Sequence, residues 1–497
     1  MYLLGIDLGS SSVKVALIQA DNHNCLAVAH YPKSEMKIYS PRAGWAEQSP
    51  EVWWSHFKQA LQEVLHKAQV DTSQILGIGI SYQMHGLVIV DDQQEILRPA
   101  IIWCDSRAVE IGQQAFEKIG EKKCLDHFLN SPGNFTASKL KWVKENESEV
   151  FKKIDKMMLP GDYLAMKMSG RAQTTIPGLS EAILWNFKEG KIAVDILNAY
   201  GISEQLIPEI VDTFSIQAKL SKSAAQELGL IEGTPISYRA GDQANNAISL
   251  GVIYPNTIAA TGGTSGVVYG IVDHAKADSN SRLNSFAHVN HTSADPRIGV
   301  LLCINGAGSQ YAWLKKQIAD ANLTYGEMEM EARKVPVGSA GLCILPYGNG
   351  SERMLQNEYK GASILNLQFN IHGKAHLYRA ALEGIAFSFI YGLEVMAQAG
   401  VEAEKMYVGN DNLFQSKIFA QTLSSLANAD IEVIETNGAI GAAKGAGFGL
   451  GYYSSLDEAI GKPSVIKKYI PDIDTNEYRK AYQKWRHYLE QQYKIEG

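Results

Sequence analysis

A chain of 497 residues is too long for a single hydrophobic core, so at least two domains are expected. Apolar residues make up 45% and charged residues 20%, and a net charge of −7 leaves no basic footprint for a nucleic-acid partner. Five cysteines without CxxC spacing (Cys25, Cys104, Cys124, Cys303 and Cys343) argue for reduced thiols in a cytoplasm rather than a disulfide frame or a zinc site.

The first strand starts at Tyr2, leaving no room for a signal peptide, and no apolar run reaches membrane-spanning length, so no membrane contact is expected. Residues 2–7 read as a buried strand that delivers Asp7 at its end, and strands over 13–19 and 26–31 continue as a meander. Ser49-Pro50-Glu51 starts a helix, with Ser capping, Pro at the first helical position and Glu at the positive helix end. Trp53, Trp54, Phe57, Leu61 and Leu65 form its apolar face, so the tryptophan pair is read as core rather than as a sugar platform. A strand over 75–81 leads into Tyr82-Gln83-Met84-His85-Gly86 and another strand through Val90. Residues 121–230 read as insertions on the first half, within which Asp162 is expected to cap a helix over 163–168.

The stretch 239–269 carries the strongest chemical signal. It opens with a lone carboxylate among small residues, Gly241-Asp242-Gln243-Ala244, and closes with Thr261-Gly262-Gly263-Thr264-Ser265-Gly266 between apolar runs. Glycines let successive N–H groups converge on an anion, and the hydroxyls add donors. Gly5-Ile6-Asp7-Leu8-Gly9-Ser10-Ser11-Ser12-Val13 is the same device again. Asp7 aligns with Thr261, Gly9 with Gly263 and Ser10 with Thr264, an offset of 254 residues, about half the chain. A phosphate loop repeated at half-length points to two related lobes with a nucleotide between them. The copies differ in one place, a carboxylate at 7 and a hydroxyl at 261, which suits a metal side and a phosphate side.

Further on, Asn305-Gly306-Ala307-Gly308 precedes a helix carrying Trp313 and Leu314, and a long helix runs over 375–392. Val408-Gly409-Asn410-Asp411-Asn412 is a turn between a strand and a helix over 416–427. The Gly/Ala-rich stretch 438–451 fails the GxGxxG register and is read as close helix packing. The last helix buries Tyr478, Tyr482, Trp485, Leu489 and Tyr493 at helical spacing. The His288–His291 pair is read as structural, and the absence of GxxxxGK[ST] excludes a P-loop.

Three strands, a helix, a strand and helical material, repeated from Thr257, resemble the ribonuclease-H-like unit of an α/β, two-lobed, actin-like ATPase fold, shared by sugar kinases, hexokinase, actin and chaperone ATPases. More specifically, GIDLGSSSVKV, GWAEQSPEVWW, the QMHG at 83–86, LRPAIIWCDSR at 97–107, LPGDYLAMKMSG at 159–170, AGDQANNA and TGGTSGVVYG follow the order and spacing of the FGGY carbohydrate kinases. The chain resembles that family over essentially its whole length, with an N-terminal lobe over 1–246 and a C-terminal lobe over 247–497. Two stretches depart from the family pattern: the turn at 408–411 has lost its glycine run, and Gly350-Ser351-Glu352-Arg353-Met354 replaces a motif ending in Thr-Pro.

The resemblance implies phosphoryl transfer from ATP to a sugar, with Asp242 as general base and Asp7 holding Mg2+. It places Gly9, Ser10, Ser11, Ser12, Gly263, Thr264, Ser265, Gly266, Gly308, Gly409 and Asn410 at the nucleotide and its phosphates. Met84, His85, Gln243 and, more weakly, Asp105 would contact the sugar. Where glycerol kinases carry an Arg and a Glu, this chain has Met84 and His85, which implies a roomier, less charged site for a five-carbon ketose, D-xylulose. A homodimer is a further expectation. Open alternatives are a sister kinase acting on ribulose, gluconate or glycerol, a ribokinase-type enzyme, and a non-catalytic relative that binds sugar or nucleotide.

Overall fold

The computed structural model describes residues 1–410 and 412–495, and it is organised around two mixed sheets. In the first sheet the order is Phe214–Lys219, Pro235–Gly241, Ile75–Tyr82, Tyr2–Leu8, Val13–Gln19 and Cys25–Tyr31. The last three strands are antiparallel neighbours, because the loop at 9–12 can only fold back. Ile75–Tyr82 lies parallel to Tyr2–Leu8, which requires a crossover, and helix Pro50–Ala68 supplies it. Pro50 takes the first helical position and Ser49 the cap position, although the Ser49 side chain makes no capping bond. Trp53, Trp54, Phe57 and Leu61 are buried, as their spacing predicts.

The second sheet repeats the plan. Thr257–Gly262 and Gly266–Val272 pair antiparallel, Ile298–Ile304 joins them, and Lys405–Gly409 and Asp430–Ile434 add on parallel from the other side. Asp7 and Thr261 therefore occupy the same place in two equivalent hairpins, as the half-length repeat predicts. Asn284–Ala287 and Val465–Tyr469 close the two edges.

Helix Lys374–Gln398 is long and apolar enough to cross a membrane by length and composition, which the sequence reading did not anticipate. Its apolar window is 83% buried inside the protein, so it is the core helix of the second lobe. In the last helix, Asn476–Tyr493, Tyr482, Trp485, Leu489 and Tyr493 are buried and Tyr478 is half-buried.

Two expectations are corrected. Phe214–Lys219, placed among the insertions, is a strand of the first sheet. The helix expected over 163–168 spans Pro160–Ser169, because Pro160 fits its first position. Asp162 is thus inside the first turn, where its carboxylate accepts the Leu159 N–H at 3.2 Å. Residues 251–256 connect helix Asp242–Leu250 to strand Thr257–Gly262.

The Gly/Ala-rich stretch forms helix Gly438–Gly449 and packs on the first sheet, although it follows the second in sequence. A β-carbon on Gly5 would stand 1.8 Å from the Ala439 carbonyl oxygen, and one on Gly79 1.9 Å from that of Ala442. Backbone-to-backbone packing of this kind needs glycine in the sheet and small residues on the helix. It brings the second half of the chain over the end of strand Tyr2–Leu8, where the candidate site begins.

Candidate active site

Asp242 stands where the buried strand Pro235–Gly241 gives way to helix Asp242–Leu250, at the positive end of that helix. Gly241 is required there, since a β-carbon would lie 2.5 Å from Glu181 Oε2 and 2.7 Å from Met84 Cγ. The half-buried Asp242 carboxylate accepts a bond from Gln243 Nε2 at 3.2 Å. Burial first, and the Asp7 carboxylate second, push its pKa up to about 7, against the pull of the Gln243 hydrogen bonds and Lys14. That is a carboxylate poised to take a proton near neutral pH.

Asp7 stands near the end of strand Tyr2–Leu8, which with Pro235–Gly241 flanks the parallel strand Ile75–Tyr82 in the first sheet. Ser81 Oγ donates to its Oδ1 at 3.0 Å, and Lys14 Nζ lies 4.0 Å from Oδ2. Beside it, the 9–12 loop is pinned by the Gly9 N–H to the Ser12 carbonyl at 3.0 Å. The N–H groups of Ser10, Ser11 and Ser12 have no protein acceptor among the described residues, as an anion loop requires. The same holds for Gly263, Thr264 and Ser265 in the second loop. Gly266 lies against Phe389 and Gly308 against the Gly263 carbonyl, with no space for a side chain at either.

Gly263, Thr264 and Gly308 form one wall of a cavity of about 520 Å³ in the second lobe. Its other walls include Tyr311 and Tyr325, stacked at 5.7 Å, and Leu413 with Gln415. A cavity walled by two stacked tyrosines and the Glu329–Arg333 pair, opening onto an anion loop, suits a purine nucleoside carrying phosphates. Gly409 and Asn410 do not line it. The Asn410 side chain turns to Glu435 at 3.4 Å, and the 3-10 turn Asn412–Gln415 carries Leu413 and Gln415 to the cavity instead. Asp411, the other residue of that expected turn, lies outside the described residues. The departing motif at 350–354 serves as scaffold: the Glu352 carboxylate accepts the N–H groups of Asn305 and Gly306, which lead into Gly308.

On the other side of Asp242, Met84 is buried and His85 half-buried. His85 Nδ1 donates to the Glu181 carbonyl at 2.9 Å, and burial drives its pKa down to about 3. A carbonyl can only accept, so the neutral ring carries its proton on Nδ1 and keeps Nε2 as a free acceptor. Phe135 and Phe286 flank the ring with centroids at 4.8 and 5.2 Å. Asp105 is fully buried and spent on its own turn. Its oxygens accept the N–H groups of Ala46 and Arg107 and the Arg107 guanidinium, so nothing remains for a sugar. The short Asp–Arg spacing made this structural pairing available, and burial enforces it.

Three further contributors were not singled out from the sequence, although Gln48 and Trp103 lie within the stretches GWAEQSPEVWW and LRPAIIWCDSR. Gln48 links the two loops, accepting from Gln83 Nε2 at 3.2 Å while donating to the Ser10 carbonyl at 2.7 Å. Trp103, half-exposed, reaches Ser10 Oγ at 3.3 Å. Glu181 is buried behind Gly241, and burial holds its carboxyl well above the usual range, so it adds no second charge beside Asp242. The His288–His291 pair is structural as expected: His288 is buried with Nδ1 on the Tyr269 hydroxyl at 2.9 Å.

Residues 2–249 match the FGGY family of carbohydrate kinases, N-terminal domain, and residues 258–450 its C-terminal domain. The chain is 31% identical over 472 residues to a xylulose kinase of Bacillus subtilis, covering 92% of this chain and 90% of that protein. A crystal structure of a xyloylose kinase from Brucella ovis superposes with a TM-score of 0.89 at 25% identity, over the whole of both chains. The fold is also that of a Plasmodium falciparum glycerol kinase with ADP, at a TM-score of 0.86 and 20% identity over 99% of this chain and 98% of that one.

Proposed function

Since the chain belongs to the FGGY family of carbohydrate kinases, we propose that it transfers the terminal phosphoryl group of ATP to D-xylulose, giving D-xylulose 5-phosphate and ADP. The observation that carries the ketose reading is the sugar loop beside Asp242. Met84 supplies shape without charge, and the neutral His85 ring offers one acceptor to a hydroxyl.

In this reading Asp242 accepts the proton of the attacking hydroxyl as the new O–P bond forms and the bond to the ADP oxygen breaks. Transfer of this kind is mostly positioning and charge neutralisation, so a base at pKa about 7 suffices. The free N–H groups of Ser10, Ser11 and Ser12 and of Gly263, Thr264 and Ser265 hold phosphate oxygens from opposite lobes. The adenosine lies in the aromatic cavity. Gln48 keeps the phosphate loop in register with the sugar loop.

Among the described residues no cluster of three or more His, Cys, Asp or Glu could cage a metal. Asp7 facing Asp242 nevertheless fits Mg2+, which keeps much of its water and takes one or two carboxylates plus substrate phosphates. Asp7 would hold it, and the ion would supply charge neutralisation on the phosphates. A cytoplasmic homodimer without nucleic-acid or membrane partners completes the proposal.

The test is a coupled ADP-release assay with D-xylulose, D-ribulose, gluconate, glycerol and no acceptor. D-xylulose should give the highest kcat/KM, and ATP turnover without acceptor should be slow. Equal rates with and without every acceptor would refute the kinase reading, and a preference for another polyol would refute the ketopentose.

A further inference from the structure

His85 adopts φ 61°, a left-handed conformation that residues with a β-carbon disfavour. Something must hold its backbone there. Its carbonyl accepts a hydrogen bond from Lys139 Nζ at 2.8 Å, and the same ammonium reaches the Ile102 carbonyl at 3.1 Å. Lys139 lies on helix Thr136–Asn146 and is 0% exposed, in a row with the buried Leu140 and Val143. No carboxylate stands within ion-pairing distance of it among the described residues; burial lowers its pKa to about 7, and Asp105, the acid that acts on it, is engaged by Arg107. A buried ammonium is costly, and a framework position in such a row is ordinarily filled by an apolar side chain. What this cation gains is control of two carbonyls: one in the sugar loop, one in the turn that carries Trp103 onto Ser10.

We propose that Lys139 is a positioning residue for the acceptor site, its ammonium clasping the His85 and Ile102 carbonyls so that the sugar loop and the 102–105 turn face the cleft in fixed relation. Lys139 touches neither sugar nor nucleotide; it acts through His85. Glu181 fixes the ring from one side, and Lys139 fixes the backbone from the other. The proposal rests on the reading of 83–86 as the sugar loop.

Lys139→Met keeps the stem and removes the donors. Its KM for D-xylulose should rise several-fold, no further than that of His85→Ala, while the KM for ATP stays within about twofold. Combined with His85→Ala, the two defects should not add, because both act on one contact. If Lys139→Met does not fold, Lys139→Leu, which also lacks the donors, gives the same comparison. A His85→Ala enzyme with unchanged KM for D-xylulose would remove the sugar-loop reading itself. A clear His85→Ala defect, with the Lys139 variants showing either none, or one shared equally between sugar and ATP, or one additive with His85→Ala, would overturn the role of Lys139. Failure of both Lys139 variants to fold, beside a stable His85→Ala protein, would assign Lys139 to the framework and equally overturn it.

Discussion

A β-carbon on Gly438 would stand 2.6 Å from Asp7 Oδ2 and 2.7 Å from its Cγ, so the carboxylate and the helix end fit together only because residue 438 has no side chain. Asp7 is thereby held between Ser81 and the start of helix Gly438–Gly449, facing Asp242. Gly438→Ala should displace the Asp7 carboxylate. Misplacement of a catalytic-site group by a fraction of an ångström to an ångström should lower kcat/KM roughly tenfold or more. Thermal unfolding should change little, because the side chain that must yield is short and at the cleft. The check is a titration of turnover with Mg2+ beside a melting curve; wild-type kinetics in Gly438→Ala would separate Asp7 from the phosphate chemistry.

Asp242→Asn should reduce kcat by about 10²–10⁴ while ATP binding, measured by calorimetry, stays within a few-fold. A variant with a tenth of wild-type turnover would exclude Asp242 as the base. In the parent enzyme, kcat/KM for sugar should rise with pH through about 7, as Asp242 loses its proton.

The same carboxyl gives a stability test of opposite sign. Its folded pKa is raised above the unfolded value, so between about 4 and 7 the native state binds more protons than the unfolded one. Its contribution to stability is therefore greatest at low pH and is lost as pH rises through about 7. Asp242→Asn should melt higher than wild type at pH 8, and the gap should close toward pH 5. An equal gap at both pH values would mean that the carboxyl is not held in the neutral form.

Gly308→Ala tests the nucleotide wall. Its β-carbon would stand 2.1 Å from the Gly263 carbonyl oxygen, a backbone atom that cannot swing away. The second phosphate loop must move, and forced overpacking costs about 1–3 kcal/mol. KM for ATP should rise at least several-fold with a smaller change in KM for sugar, which initial-rate kinetics would reveal. A defect confined to the sugar would place the nucleotide elsewhere.

His85→Ala should raise the KM for D-xylulose several-fold, since a neutral hydrogen bond contributes roughly 0.5–1.5 kcal/mol. KM for ATP should be nearly unchanged. The ring also packs between Phe135 and Phe286 and binds the Glu181 carbonyl, so stability should fall by about 1–3 kcal/mol. Lost stability with an unchanged sugar KM would make His85 a structural residue alone.

The sequence by itself determined the two lobes and the ends of their hairpins, because a phosphate loop is a local device: glycines and hydroxyls at fixed spacing between apolar strands. Asp7 and Asp242 were legible for the same reason, each standing at the end of a buried strand. The tertiary structure alone decided which residues meet across the chain. Gly438 against Asp7, Gln48 between Gln83 and Ser10, and Lys139 under His85 join positions 35 to several hundred residues apart, and no local pattern records such contacts. Burial decided the rest. It turned Asp105 inward onto Arg107, pushed the pKa of Asp242 up and that of His85 down, and left Leu413 and Gln415, rather than Gly409 and Asn410, lining the cavity of the second lobe. Desolvation and packing are properties of the assembled interior, and the linear order of residues fixes them only through the fold.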